Sequence, residues 1–523
     1  MSQTIQIENF AGGLNSEDAT TIEDNQLSIA KNVYYDSQRL LSSRRGISDF
    51  GAEVAGANGQ HSIYFTRLTD GTRILLLGVG TTVRRYNETT EVFDTIDTGL
   101  TDGEKLSFIT YKDWVYWSNG IDDMRRYDGA TVTPDASLPK GKYLAVDKDV
   151  AYVSGVTTDP SAVFYTDANP TTVHADGFSN DEPVNQDDGI ITGMHVFGGT
   201  AFIGKSVPNR STGKGMYNVN VFSTVVSIDP IDNGGDLSSD RSMVRVENDL
   251  LYMSSTGFYS ASQRQGTSGS YRAMSFSNPI QKLMDRVTDK STVAAVYWPE
   301  TKNVYVSVNE SGTRNNTLYV YSLNASSPGI GVFAWTEYEN INANDFTEYE
   351  DADGVKHLLV ANAYGGQVIE METGFNDNGI SIRTEVQTKT FDFGSAETLK
   401  TFSNIDIGGL ISRQQDLSFK IITDCVETTK NFNGTDYGCS SGSSIPIPIG
   451  REPLGEDVIG GGAVSVDGIT LNPFSRFRHP FSTGQRVAIN VSGNCLNSAW
   501  KLSKARVIAE IHEEDVQKNA FIS

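Results

Sequence analysis

The stretch KLSFITYKDWVYWSNGIDDMRRYDG, residues 105–129, decides the fold. Its first part alternates apolar and polar residues, Lys112 and Asp113 form a polar turn, and DWVYWSNG is a continuous apolar run closed by small residues. Gly120 then breaks the run before RRYD resumes. The unit is three short strands joined by tight turns, with a middle strand apolar on both faces. A strand covered on both sides has this composition.

The same grammar recurs along the chain. HSIYFTRLTDGTRILLLGVGTTVRRYN (61–87) precedes it; YLAVDKDVAYVSG with SAVFYTDA (143–168) and ITGMHVFGGTAFIG with GMYNVNVFS (191–223) follow. SMVRVENDLLYMSSTGFYSAS (242–262), TVAAVYWPETKNVYVSV with NTLYVYSL (292–323) and DFTEYEDADGVKHLLVANAYGGQVIEME (345–372) continue the series. About seven copies start roughly 40 to 50 residues apart, the period of propeller blades. One such sheet has two apolar faces and cannot bury them alone, so the copies stack radially about an axis. The expected fold is all-β: an irregular β-propeller of about seven blades over residues 56–375. Trp114, Tyr116 and Trp117 then read as blade-to-blade packing.

Composition agrees. The 523 residues include 50 Gly, 22 Tyr and 24 Phe, with 38% hydrophobic and 20% charged residues, a turn-rich sheet composition. With 65 acidic against 42 basic residues the formal charge is −23, which disfavours a large basic face for gripping nucleic acid. Cys425, Cys439 and Cys495 have neither disulfide-framework nor zinc spacing. The N-terminus lacks a signal-peptide pattern and no apolar run reaches membrane-spanning length.

Two segments depart from the blade grammar. In SFSNPIQKLMDRVTDKST (275–292), Ile280, Leu283, Met284 and Val287 lie at helical spacing behind a cap at Ser277 or Asn278 and Pro279, which predicts one amphipathic helix on a propeller rim. From about residue 376 the strands lengthen and become two-faced, as in ISIRTEVQTKTFDF (380–393), DLSFKIIT (416–423) and QRVAINVSG (485–493). This predicts a separate C-terminal β-sandwich over 376–523. Within it, the Gly/Ser/Pro-rich stretch 439–468 reads as a long extended loop available for contacts.

Catalytic patterns are absent. The six histidines, His61, His174, His195, His357, His479 and His512, have no ligand spacing, and no HExxH, GxSxG or Walker pattern occurs. Two acidic, Gly-containing loops, 229–240 and 350–354, offer oxygen ligands to a hard cation, but neither matches an EF-hand. No catalytic residue, cofactor or metal is assigned.

Residues 8–51, ENFAGGLNSEDATTIEDNQLSIAKNVYYDSQRLLSSRRGISDFG, are too irregular for a blade. They read as an N-terminal arm over 1–55 with a short helix between Asp24 and Val33, whose Leu27, Ile29, Ala30 and Val33 keep an approximate helical period. Gly12 and Gly13 permit a tight approach or positive φ, and Asn15 and Asp24 can cap turns. The arm either clamps the first blade or docks on a neighbouring subunit.

In wording this opening resembles bacteriophage tail nozzle and tail-stabilisation (tail hub) proteins of short-tailed phages. These tend to begin with an aromatic residue and Gly-Gly-Leu-Asn, then a short helix ending near Asn-Val, then a basic Arg-Gly step. Here those are Phe10, Gly12, Gly13, Leu14 and Asn15, then Asn32 and Val33, then Arg44, Arg45 and Gly46. The resemblance implies a structural virion protein, not an enzyme, made in the host bacterial cytoplasm. It implies a homo-oligomeric ring, a hexamer, below the portal and adaptor, in contact with other tail proteins and with tail fibres as further partners. Such a ring closes the channel and conducts DNA during ejection without binding it specifically. The alternatives are a tail-tip propeller that binds a receptor or glycan and, behind it, a propeller glycoside hydrolase, whose two carboxylates need converge only in space.

Overall fold

The computed structural model describes residues 2–147, 149–167, 177–184, 189–206, 215–222, 225–263, 271–412, 415–424, 427–433, 464–466, 469–475 and 482–511. The architecture is all-β: a propeller with a second, two-sheet body against one side.

Each blade is an antiparallel meander running outward from the axis. Blade one holds Ser62–Arg67, Arg73–Val79, Thr82–Asn87 and Val92–Thr98; blade two holds Ser107–Tyr111, Trp114–Ser118, Met124–Tyr127 and Val132–Asp135. Blades three, four and five begin at Tyr143–Asp147, Ile191–Phe197 and Val244–Val246. Together with the sheet that begins at Ala343–Glu350, these make six four-stranded sheets. The meander Ala294–Trp298, Asn303–Val308, Thr317–Ser327 and Val332–Glu339 is blade six, and the sheet that begins at Ala343–Glu350 is blade seven. Successive inner strands pack on one another, except that the turn Asp240–Ser242 meets Ile191–Phe197 between blades four and five, and Ala343–Glu350 meets Ser62–Arg67 to close the ring.

The middle strands behave as their sequence requires. Residues 74–79 of blade one and all of Asn303–Val308 are buried, as are Val115, Tyr116 and Trp117 of blade two. Trp117 and Tyr116 belong to different interblade cores, the first shared with blade one and the second with blade three.

The last blade has only three strands of its own; its outer strand is Gly46–Phe50, from the N-terminal region, antiparallel to Val368–Thr373. The ring is therefore sealed by hydrogen bonds between residues more than three hundred positions apart.

The second body is a sandwich, as expected, but it is not separate. One sheet combines Ser2–Ile7, Val33–Tyr35 and Leu41–Ser43 with Lys400–Ser412 and Trp500–Ile511. The other runs from Gln26–Lys31 through Ile382–Thr388, Val487–Cys495 and Asp416–Thr423, and is continuous with blade six through the pair Lys31 and Glu337. Its core, with Phe402, Phe419 and Trp500, runs unbroken into Phe258, Phe276 and Trp335 of the propeller side. Trp335 stacks on Phe276 at 5.5 Å and donates its indole N–H to the Phe276 carbonyl at 3.1 Å. Ser2–Ile7, Gln26–Lys31 and Leu41–Ser43 thus pair with strands between residues 382 and 511, and Val33–Tyr35 with Leu41–Ser43, to build the sandwich.

Both expected helices are corrected. The stretch from Asp24 to Val33 forms the strand Gln26–Lys31 and the start of Val33–Tyr35. A register shift between Leu27 and Ile29 bulges the first strand, so its buried residues, Leu27 and Ala30, lie three apart and mimic a helical stripe. In 275–292 only Gln281–Met284 is α-helical, flanked by the 3₁₀ turns Asn278–Ile280 and Lys290–Thr292. Ile280, Met284 and Val287 are buried as the spacing requires. Continuation is stopped where the Thr288 amide donates to the Asn309 carbonyl at 2.9 Å.

Candidate functional site: the N-terminal clamp and the axial mouth

The residues singled out in the N-terminal motif converge on one junction inside the chain. Phe10 and Leu14 are buried, and the Phe10 carbonyl accepts the Tyr35 hydroxyl at 2.7 Å. Gly13, at φ +74°, crosses blade six so closely that a Cβ would lie 2.6 Å from Ala334 Cα. Asn15 donates its side-chain amide to Gln26 at 2.9 Å.

Asn32, itself left-handed at φ 54°, organises the centre. Its Nδ2 donates to the Arg383 carbonyl at 2.7 Å, and its Oδ1 accepts from Arg44 Nε at 2.9 Å and the Glu339 amide at 3.0 Å. Arg44 is fully buried. It donates bidentately to Asp377 at 2.8 and 2.6 Å, donates to the Arg45 carbonyl at 2.9 Å, and lies over Tyr338. At Gly46 a Cβ would come within 1.7 Å of the Asn376 carbonyl oxygen. The motif thus locks the crossing of the segments that enter and leave the propeller. These contacts lie within the chain, on blade six and on the segment that leaves the last blade, and not on the first blade.

A second polar cluster lies at one mouth of the propeller axis, where links between successive blades cross. The link from blade four to blade five ends in the turn Asp240–Ser242, held by Ser239 Oγ donating to the Val293 carbonyl at 2.6 Å. From this turn the Arg241 guanidinium reaches across the mouth. It donates to the carbonyls of His61, Asn344 (3.2 Å) and Leu106 (3.1 Å) and to Ser62 Oγ (2.7 Å), and lies 3.5 Å from the Asp345 carboxylate. One side chain so ties blades one, two, five and seven. Asp345 also accepts the Ile63 amide at 3.0 Å, and Lys105 reaches the Ser291 carbonyl at 3.4 Å.

The electrostatics follow from burial. Burial, and then the neighbouring Arg241, hold His61 down to about 4. Burial, and then Arg241, bring Lys105 down to about 8. Burial raises Asp345 above the usual carboxylate range despite Arg241. Because the unfolded chain protonates His61 near its ordinary value and the folded chain resists, this contribution to stability is complete above about pH 6.5. It is lost as pH falls toward about 4.

Sequence reading did not find this cluster. Arg241 stands alone in an acidic loop and its partners are mostly backbone carbonyls, which leave no trace in side-chain patterns. The acidic loop around it spends its buried carboxylate internally, Asp236 accepting the Ser255 amide at 3.1 Å and hydroxyl at 3.0 Å. In the other acidic loop, Asp351 accepts the Asp353 and Val355 amides at 2.9 and 2.8 Å and His357 Nε2 at 3.2 Å. The opposite ring nitrogen of His357 lies 2.7 Å from Glu370. No group of three His, Cys, Asp or Glu side chains able to hold a metal occurs among the described residues.

His195 lines the inner strand of blade four and burial holds it down to about 4. Cys495 is buried, its thiol pushed up to about 12. Cys425, Cys439, His174, His479, His512 and the loop 439–468, apart from 464–466, lie outside the described residues. Among the described residues, no helix is long and apolar enough to cross a membrane.

No protein-family model matches this chain, and no curated protein matches it. Among solved structures, the extracellular domain of a putative hybrid two-component system from B. thetaiotaomicron aligns at 8% identity and a TM-score of 0.42, over 69% of this chain. This chain spans 43% of the length of that structure. The computationally designed Ika8 protein aligns at 9% identity and TM-score 0.36, over 62% of this chain and 99% of its own. BBS1N, solved in complex with ARL6DN, aligns at 12% and 0.39, over 63% and 97%.

Proposed function

We propose that this chain is a structural subunit of a bacteriophage tail, of the nozzle kind. Copies form a ring, a hexamer by the resemblance, below the portal and adaptor, close the channel before infection and conduct DNA afterwards. The carrying observation is the motif of Phe10, Gly12, Gly13, Leu14, Asn15, Asn32, Arg44, Arg45 and Gly46, whose wording resembles that family. A part that carries force between portal and tail needs rigid linkage, and the clamp at this motif supports the reading. The formal charge of −23 suits a surface past which a polyanion slides without sticking. The role uses no catalysis.

The experiment is genetic. Phage carrying a stop codon in this gene are expected to package DNA into heads but lose it and remain non-infectious, with infectivity restored by the chain in trans. Infectious, DNA-retaining particles without the chain exclude the role.

One feature favours the receptor- or glycan-binding reading as second choice. Tyr364, 45% exposed, projects from the loop between the second and third strands of blade seven with Arg314 5.2 Å over its ring. Such a ring presents a flat face to a sugar.

A further inference from the structure

Unpaired strand edges are liabilities, and among the described residues this protein guards all but one of its longer outer edges. The outer strands of blades two, three and four carry Pro134, Pro183 and Pro230. That of blade one has Asp94 and Asp97 beside a bulge, that of blade five has Arg272, and the ring-closing strand has Asp49. On the sandwich, the edge strand Glu427–Asn433 begins with a charge and Val464–Val466 is short. Prolines, charges, bulges and shortness all obstruct the addition of a further strand.

Ser2–Ile7, SQTIQI, has none of these devices. It pairs with Trp500–Ile511 through six consecutive residues without a register shift, and nothing hydrogen-bonds its other edge among the described residues. It is uncharged, and Thr4, Ile5 and Ile7 favour extended backbone. A groove of about 380 Å³ opens beside it, between Gln3, Thr4 and Ile5 and the segment 389–394, whose charged groups are Asp392 and the ion pair of Lys389 with Asp24.

We propose that a second copy of this chain adds its own Ser2–Ile7 strand, antiparallel, to this edge, joining two sandwiches into one continuous sheet. The strand is complementary to itself. Antiparallel partners must share a face, so the register that sets Ile5 opposite Ile5 sets Gln3 opposite Ile7 on the inner side. On the outer side Thr4 meets Gln6. Within the strand pair no like charges face each other, whereas any guarded edge of this protein would bring a charge or proline to the contact. The pair is two-fold and uses the same edge on both copies, so it is distinct from any contact that closes a ring.

Thr4 and Gln6 are exposed and Gln6 lies opposite Arg506, so glutamates there set like charges against each other across the copy-to-copy pair with little effect on the fold. Across a concentration series in analytical ultracentrifugation, the purified protein is expected to pass from monomer to dimer. The double variant Thr4→Glu/Gln6→Glu should stay at half the dimer mass with an unchanged melting temperature. Thr95→Glu/Thr98→Glu on the guarded edge of blade one adds the same charge and should dimerise normally. In the unaltered protein, amide exchange over residues 2–7 should slow as concentration rises. A wild-type monomer throughout, a Thr4/Gln6 variant that dimerises like wild type, or concentration-independent exchange overturns the proposal. A dimer that never enters a virion would remove the tail role and leave this contact standing.

Discussion

Replacing Arg44 by Met is expected to lower unfolding free energy by about 3–5 kcal/mol, the cost of leaving one member of a buried ion pair alone. Arg44 has no exposed surface, and the Asp377 side chain is 14% exposed, so water can hydrate the abandoned carboxylate only partly. The loss falls where the propeller and sandwich meet. Asp377 bridges Ile47 and the Asn378 amide donates to the Ile47 carbonyl at 3.0 Å, so the ring-closing strand shares the damage. Urea unfolding of Arg44→Met should show the loss, and amide exchange should accelerate over residues 46–50. The double variant Arg44→Met/Asp377→Leu should recover part of it, because no orphaned charge remains. A single variant as stable as wild type would mean that the clamp does not hold the crossing.

The second large effect is expected at Arg241. Arg241→Met removes the donors serving three carbonyls and Ser62, and strips Asp345 of its guanidinium, for a loss of about 3–5 kcal/mol at pH 7. The pH dependence separates this from simple packing damage. Arg241 adds to burial in holding His61 neutral, so without it His61 protonates at higher pH. The wild type should lose stability between about pH 6.5 and 4, and the variant should lose less over that window because its folded state accepts the proton more readily. Chemical denaturation of both proteins at pH 7 and pH 5 measures the difference. Equal acid losses would remove Arg241 from the environment of His61.

Most of the propeller was legible because its signals are local. A middle strand covered by two neighbours must be apolar throughout, and RILLLGVG and DWVYWSNG show this within a few residues. Turns such as Lys112-Asp113, both at positive φ, mark where strands reverse. What stayed hidden depends on partners far away in the chain. Ser2 pairs with Glu510 and Gly46 with Thr373, and nothing in either stretch specifies the other. The bulge at Ser28, whose hydroxyl donates to the Thr388 carbonyl at 3.0 Å, turned a strand into an apparent helix by spacing Leu27 and Ala30 three apart.

The clamp was half legible. Gly13, Asn32, Arg44 and Gly46 stood out as a motif, but their physical roles were not apparent until Ala334, Glu339, Asp377 and Asn376 were brought against them. The axial mouth was not legible at all, since Arg241 binds carbonyls that any residue could supply.

The tail role is tested most directly by cryo-electron microscopy of intact phage particles that carry this gene. The expected result is a ring of density directly below the portal and adaptor into which copies of this propeller and its sandwich fit as rigid bodies, with DNA held above it. Particles whose tail holds no such ring, or in which this chain sits only at the distal tip or is missing, would contradict it.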